Sequence, residues 1–190
     1  MARATISSST SSARKSYEAM ATGHADLCFL AIEPAREAEI AFTPPYVHIE
    51  GVYAVPAESP PRTPEDVDRP GVRIGVKQGS AYDLYLTRTL RHATVVRGPE
   101  GVDVFHAEEL EAAAGIRQPR TAHLAERPEL RLVEPAFMTI RQAVGTTRTR
   151  RPETVGFLSE TVAHLTASGF VAEALGRSGQ NPALAAPTER

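Results

Sequence analysis

Between Val72 and Glu134 the sequence alternates short apolar runs with segments of helical spacing, and this alternation constrains the fold more than any other feature. The runs VRIGV, ATVVR, EAAAGIR and LRLVE predict strands, and the intervening segments SAYDLYLTRTLRH, VDVFHAEEL and QPRTAHLAERP predict helices. Strands that alternate with helices in this way are typical of an α/β protein. We therefore predict a self-contained α/β unit in this part of the chain.

The segments on either side predict a second α/β unit that the first one interrupts. SARKSYEAMATG predicts a helix, DLCFLAI a strand buried on both faces, EPAREAEI a short helix, and GVYAVPA and FMTIRQAVGT two further strands. Pro152 opens a long helix and Phe170 a last one, and the proline-rich ESPPRTPEDVDRPG reads as a connector.

The predicted domains are a first lobe, an inserted second lobe, the return of the first lobe and a disordered tail, at residues 1–57, 58–134, 135–180 and 181–190. Two crossing strands predict a hinge, and ligands favour the cleft of such a pair.

Composition narrows the function classes. The 190 residues carry a formal net charge of -2 and are 42% hydrophobic, which is an ordinary soluble composition and argues against nucleic acid as the main partner. No run approaches the roughly 18 apolar residues of a membrane span, and the N-terminus as given has no apolar core of an export signal. The single cysteine, Cys28, excludes an intrachain disulfide and predicts a buried structural thiol.

Signatures of catalysis and of metal binding are missing from the sequence. The six histidines lack metal-ligand spacing, and no CxxC, GxSxG, P-loop or GxGxxG motif occurs. We therefore predict no catalytic residue, no metal and no cofactor.

Three residues are candidates for binding a small ligand. In VRIGVKQGSAYD a strand runs into Gly79, and Ser80 is a natural helix N-cap, so that the amides of the first turn are suited to an anion, although any capped helix looks the same. Arg36 follows a buried strand and suits a carboxylate; the alternative is a surface arginine paired with a neighbouring glutamate. Glu111 opens an apolar strand, either as an acceptor for an ammonium group or as a solvated acid.

These motifs, in this order, resemble the family 3 extracellular solute-binding proteins of bacterial ABC importers. The resemblance runs from about Ser12 to Gly179 and is carried by DLCFLAIEPAREAEIAFTPPYV and VRIGVKQGSAYDLYLTRTL. It implies a two-lobed periplasmic-binding-protein fold of the second type and a small carboxylate or amino acid as ligand. It also implies an ABC transporter permease as partner, a monomer, and a periplasmic or membrane-anchored extracellular location.

The resemblance also implies roles for individual residues. Arg36 is expected to clamp the ligand carboxylate, with Gly79, Ser80 and the backbone amide of Ala81 holding the same group. Ala31 stands where the family often has a hydroxyl. If Glu111 is the acid that opens the later strand, the acceptor position for the ligand ammonium is Ile116, which accepts nothing.

The chain also starts late for that family. The first lobe is expected to lack its initial strand-helix-strand, and we expect an exposed apolar edge and a tendency to aggregate.

Two other functions fit the same architecture. One is a dehydratase-like enzyme acting on a cyclohexadienyl acid, which needs a general acid or base in the cleft that neither Glu33 nor Glu111 convincingly supplies. The other is the ligand-sensing domain of a regulator or receptor.

Overall fold

The computed structural model describes residues 13–187. Its strands are β1 (Cys28–Ala31), β2 (Ile40–Pro56), β3 (Arg73–Lys77), β4 (Thr94–Gly98), β5 (Ala112–Ile116) and β6 (Leu130–Thr147). Its α-helices are α1 (Ala13–Ala21), α2 (Pro34–Glu37), α3 (Pro64–Val67), α4 (Ala81–Thr89), α5 (Gly101–Ala107), α6 (Arg117–Ala125), α7 (Pro152–Ala167) and α8 (Phe170–Arg177), and a 3-10 helix follows at Pro182–Leu184. The strand-helix alternation predicted from Val72 to Glu134 is confirmed.

The strands are hydrogen bonded in the order β1-β6-β2-β5-β3-β4. Strand β3 is parallel to both β4 and β5, whereas β1 is antiparallel to β6 and β2 is antiparallel to β5. The parallel part is therefore the one in which strands and helices alternate, as the crossover connections of parallel strands require.

The chain divides into two compact units. The first unit contains residues 1–48 and 141–190, and the second unit contains residues 49–140. Each division falls inside a long continuous strand, β2 or β6. The sequence analysis predicted domain boundaries at 57/58 and 134/135, where the composition changes. In the structure the boundaries between the two units lie at 48/49 and 140/141, inside β2 and β6.

In the first unit a small apolar core lies between helix α1 and the first strand. Met20, Cys28, Leu30 and Ile40 are buried there, with Tyr17 among the residues that pack against them. Burial raises the pKa of the Cys28 thiol to about 11, so that the thiol stays protonated near neutral pH. The prediction of a buried structural cysteine is confirmed.

In the second unit one apolar cluster lies between α5, α6 and the strands. Val104 and Phe105 of α5 pack with Leu110, Ala113 and Leu130, and Val96 and Leu124 cover them. Elsewhere in this unit Phe137 stacks on Tyr53 with ring centroids 4.3 Å apart, and Tyr85 lies 6.0 Å from Phe137. The connector contains helix α3, which the sequence analysis did not predict and which Thr63 and Asp66 stabilise with a reciprocal capping box.

Two prolines lie inside a strand that the sequence analysis began only at Gly51. Pro44 and Pro45 belong to β2, which runs from Ile40. Strand β5 pairs with β2 only from Gly51 to Ala54, so the prolines occupy a stretch that β5 leaves unpaired, where a missing N–H is tolerated. The Thr43 hydroxyl also accepts a hydrogen bond from the Val144 amide at 3.2 Å.

Two predictions for the first unit are wrong. Strand β1 is not buried on both faces: the Phe29 side chain is 65% exposed, and it contacts the Tyr46 ring edge-on with ring centroids 6.0 Å apart. The tail is not disordered over residues 181–187, since Ala185 forms a bridge with Val47 and the Ala186 amide donates to the Tyr46 carbonyl at 2.9 Å. Residues 188–190 lie outside the described part of the chain.

Candidate functional site

Arg36 lies in the short helix that follows β1. Pro34 opens this helix with its fixed φ, and the turn directs Arg36 inward, where it is 3% exposed. Its Nη1 atom donates to the carbonyl oxygen of Ala31 at 3.0 Å. The guanidinium is therefore positioned by the last residue of β1. Its burial contradicts the surface position of the alternative, whereas a neighbouring glutamate, Glu33, does act on it.

The charged guanidinium of Arg36 is shielded from water. Burial lowers the pKa of its guanidinium, while the charge of Glu33, itself buried, raises it again. An arginine with a lowered pKa still stays protonated under ordinary conditions. The first unit thus contains a buried permanent cation with an acidic neighbour.

In the second unit the predicted anion site is the start of helix α4. Gly79 has a φ of +73°, a left-handed conformation that glycine adopts without strain. Ser80 is the N-cap, and its Oγ accepts from the Asp83 amide at 3.1 Å. The Asp83 carboxylate accepts from the Gly79 amide at 2.8 Å, so the reciprocal bond reaches one residue further back than in a standard capping box.

Asp83 is held in place by a partner from the neighbouring strand. Arg97 of β4 donates from Nε to both carboxylate oxygens of Asp83, at 3.0 and 3.2 Å, and from Nη2 to the Thr87 hydroxyl. This pairing compensates the negative charge of Asp83 beneath the helix start. The first-turn amides of Ala81 and Tyr82 form no hydrogen bond with any residue from 13 to 187. They are donors suited to an anionic oxygen.

Ile116 ends strand β5, beside the parallel strand β3 that leads to Gly79. The carboxyl ends of parallel strands meet at one edge of a sheet, which is where α/β proteins bind ligands. The same edge carries Lys77, at the end of β3, which pairs with Glu100. Within the second unit, the structure therefore brings the Gly79–Ala81 turn and Ile116 to one edge. Arg36 and Ala31 belong to the first unit.

A buried arginine of the second unit was missed by the sequence analysis. Arg120 of α6 is 5% exposed and donates from Nη2 to the carbonyl oxygen of Ala114 at 3.1 Å. It lies against Gly115, where any β-carbon would overlap with its Nε atom. The sequence offered only a weak signal, a glycine at the end of an apolar strand followed by a helix with two arginines.

Glu111, the third candidate, is engaged by Arg73. The Arg73 amide and Nε donate to Glu111 Oε2 at 2.7 and 3.0 Å, and Nη2 donates to Oε1 at 2.8 Å. These bonds lower the pKa of the Glu111 carboxyl. This carboxylate is a structural partner of β3.

Two grooves of the described residues lie away from the candidate residues. An apolar groove of about 320 Å³ in the first unit is lined by Phe29, Tyr46 and residues of α7 and α8. A groove of about 260 Å³ in the second unit has a mixed lining of aromatic rings, among them Tyr53 and Phe137, and charged side chains such as Asp68. Within residues 13–187, no three His, Cys, Asp or Glu side chains are grouped so as to hold a metal ion. No helix in that range is long and apolar enough to span a membrane.

No family model and no curated protein matches this sequence. Its structure, however, is similar to solved structures. A mutant of ArgBP from T. maritima is 20% identical with a TM-score of 0.67, over 85% of this chain and 72% of that chain. A putative binding component of an ABC transporter from Wolinella succinogenes, complexed with lysine, is 15% identical with a TM-score of 0.70, over 85% and 72%. A solute receptor for L-cysteine of Neisseria gonorrhoeae is 15% identical with a TM-score of 0.73, over 88% and 69%.

The same fold occurs in proteins with other roles. A histidine kinase sensor domain is 20% identical with a TM-score of 0.68, and the ancestral amino acid-binding protein AncCDT-1, a precursor of cyclohexadienyl dehydratase, is 18% identical with a TM-score of 0.65. At sequence identities of 15–20%, the structural similarity to these proteins establishes the fold of this chain and nothing further. The chain has the type II periplasmic-binding-protein fold, and the predicted fold class is confirmed.

Proposed function

We propose that the chain is a solute-binding component of an ABC importer that captures a small carboxylate or an amino acid. The observation that carries the proposal is Arg36, a permanent cation that is 3% exposed and that follows strand β1 in a fold whose solved neighbours include a protein complexed with lysine and a receptor for L-cysteine. A guanidinium with its planar fork suits a carboxylate better than any other side chain does.

The second unit supports the same proposal with a second set of anion-binding groups. Ser80 caps a helix of nine residues, and the Ala81 amide stands beside it as a donor. The protein acts as a monomer outside the cytoplasm and delivers its solute to a permease.

A dehydratase-like enzyme is the second candidate, because AncCDT-1 shares the fold. The enzyme needs an acid or base that contacts the substrate. Glu111 is engaged by Arg73, and Glu33 is buried beside Arg36. Ligand sensing is the third candidate, on the likeness to a histidine kinase sensor domain.

Thermal unfolding in the presence of a panel of small carboxylates and amino acids tests the proposal. A binder of the folded state raises the melting temperature in a concentration-dependent way. Recovery of the bound compound unchanged supports capture, and conversion of a cyclohexadienyl acid supports the enzyme. A panel in which no compound shifts the melting temperature contradicts the proposal.

A further inference from the structure

The groove of about 260 Å³ in the second unit is not explained by the proposed function. All the residues that line it belong to that unit, and they come from β2 and β6, from α3 and from the last turn of α4 with the loop after it. Helix α4 has nine residues, so this groove and the anion-binding turn at Ser80 lie at opposite ends of it, about 13 Å apart. The groove is therefore a separate place in the fold.

The hydroxyl of Tyr53 is a buried polar group in this groove without a partner in the chain. The residue is 2% exposed, and its hydroxyl forms no hydrogen bond with any residue from 13 to 187. Burial raises the pKa of the phenol, and the charges of Asp68 and Glu65, which also line the groove, raise it further. The hydroxyl therefore faces the side of the groove that carries the acids. A buried hydroxyl normally has a partner, so this one is suited to a group that the chain does not supply.

Asp68 is fixed in place and retains capacity to accept further hydrogen bonds. The amides of His92 and Ala93 donate to its Oδ1 at 2.8 and 2.9 Å, and Oδ2 accepts from the Arg91 amide at 3.0 Å. A carboxylate oxygen has two lone pairs, so Oδ2 can accept a second bond. Neither Asp68 nor Glu65 forms an ion pair with any cation of residues 13–187, although Arg91 also lines the groove.

The last turn of α4 adds to the negative character of this place. Tyr85, Leu86 and Thr89 of that turn line the groove. The C-terminal end of a helix has a partial negative charge and stabilises nearby cations. The Thr89 hydroxyl donates to the Tyr85 carbonyl at 2.9 Å, so toward the groove this hydroxyl can only accept.

Aromatic rings form the apolar part of the lining. Phe137 stacks on Tyr53 with ring centroids 4.3 Å apart and lies 6.0 Å from Tyr85. The guanidinium carbon of Arg88 lies 5.8 Å from the centroid of the Tyr85 ring, a placement that aromatic rings favour for cations. A hydrocarbon body can pack against these rings while its polar end reaches the acids.

We propose that this groove binds a small organic cation with a primary ammonium group on an apolar body. The ammonium donates to the Tyr53 hydroxyl oxygen and to Asp68 Oδ2, Glu65 attracts it from the rim, and the body packs on Phe137 and Tyr85. The three N–H donors of an ammonium match this set of acceptors. The ligand is distinct from the solute of the proposed function and needs no carboxylate.

Isothermal titration calorimetry with three compounds of one shape tests the inference. Phenethylammonium should bind about tenfold or more tightly than 2-phenylethanol, which keeps the shape and lacks the charge, as a charge-assisted hydrogen bond implies. Phenethyltrimethylammonium keeps the charge but has no N–H donor, and it should bind less tightly than phenethylammonium.

Two substitutions, each with a matched control, assign the binding to the groove. Tyr53→Phe removes only the hydroxyl and should weaken phenethylammonium about tenfold, whereas Tyr46→Phe, in the first unit, should leave its affinity unchanged. Glu65→Gln should weaken it about two- to fivefold, the range of an exposed ion pair, and Glu126→Gln, an exposed acid outside the groove, should have no effect. Without ligand, Tyr53→Phe should melt at the wild-type temperature or higher, because a buried hydroxyl without a partner is removed.

The other outcomes contradict the inference. Equal affinities for phenethylammonium and 2-phenylethanol would show that the groove does not recognise charge, and equal affinities for the primary and quaternary ammonium would show that no N–H bond forms. A Tyr53→Phe protein that melts lower and binds phenethylammonium as the wild type does would show that the hydroxyl is structural. Because phenethylammonium has no carboxylate, its failure to bind would overturn this inference and leave the proposed function standing.

Discussion

The guanidinium of Arg36 donates to the carbonyl oxygen of Ala31, five residues earlier in the chain, at 3.0 Å. The bond joins a helical turn to the end of the strand before it and involves only the backbone of Ala31. The orientation of Arg36 therefore does not depend on the side chain at position 31. A substitution there can add or remove a ligand contact without moving Arg36.

The first prediction concerns Ala31. Ala31→Ser should leave Arg36 in place and add a hydroxyl donor beside it, which we expect to tighten carboxylate binding by about 1 kcal/mol, or fivefold. Calorimetry on the best ligand of the panel measures the effect, with Ala31→Gly as the control that adds no donor. Weaker binding by Ala31→Ser, with an unchanged circular dichroism spectrum, would place the ligand away from this strand end.

The second prediction concerns Ile116 and rests on the proposed function. Ile116→Asp places a carboxylate at the carboxyl edge of the second unit and should shift the preference from glutarate toward glutamate, which carries an ammonium group. The ratio of the two dissociation constants is the measurement, and Ile116→Asn is the uncharged control. If glutamate already binds the wild type more tightly than glutarate, the ammonium has an acceptor elsewhere.

The third prediction uses the pair formed by Arg73 and Glu111. The pKa of Glu111 is lowered in the folded state, so its stabilising effect is complete above the ordinary value of 4.5 and is lost as the pH falls through the lower folded value. Glu111→Gln should therefore unfold at a lower denaturant concentration than the wild type at pH 7, and the difference should shrink as the pH falls below 4.5. A difference that stays constant as the pH falls would show that the carboxylate charge is not its source.

The fourth prediction concerns the exposed side of the first unit. Strand β1 is at the end of the strand order, and Phe29 projects from it with 65% of its surface exposed, next to an apolar groove. Unpaired apolar edges promote association between chains. Phe29→Lys should reduce light scattering on concentration, whereas Phe157→Lys, on helix α7 and equally exposed, should reduce it less. Equal effects would show that exposure alone, and not the strand edge, causes association.

The elements of the second unit were predictable because each carries its own local signal. Short apolar runs bounded by turn residues, and Ser80 as an N-cap before a helical pattern, depend only on neighbours in sequence. The extent of β2 and β6 was not predictable in the same way, since it depends on which stretch faces another strand. Taken with their sequence neighbours alone, Pro44 and Pro45 predict the end of a strand. They are tolerated in β2 because β5 pairs only with the stretch from Gly51 to Ala54.

The candidate site was predictable only in part, for a related reason. Arg36, Gly79 and Ser80 lie in motifs whose order is recognisable along the chain. Arg120 is one of 21 basic residues, and nothing local distinguishes an arginine buried over a glycine from one in water. Glu111 read either as a ligand group or as a solvated acid, and its contact with Arg73, 38 residues away, is not visible in the local sequence.

The central claim is that Arg36 binds the carboxylate of a solute, and calorimetric titration of its variants with the tightest ligand of the panel tests it most directly. Arg36→Ala should weaken binding by about 2–5 kcal/mol, or thirtyfold to several thousandfold, and Arg36→Lys should weaken it less. Arg14→Ala, which removes an exposed arginine of the same unit, should leave the affinity unchanged. An unchanged dissociation constant in a folded Arg36→Ala or Arg36→Lys protein would contradict the account.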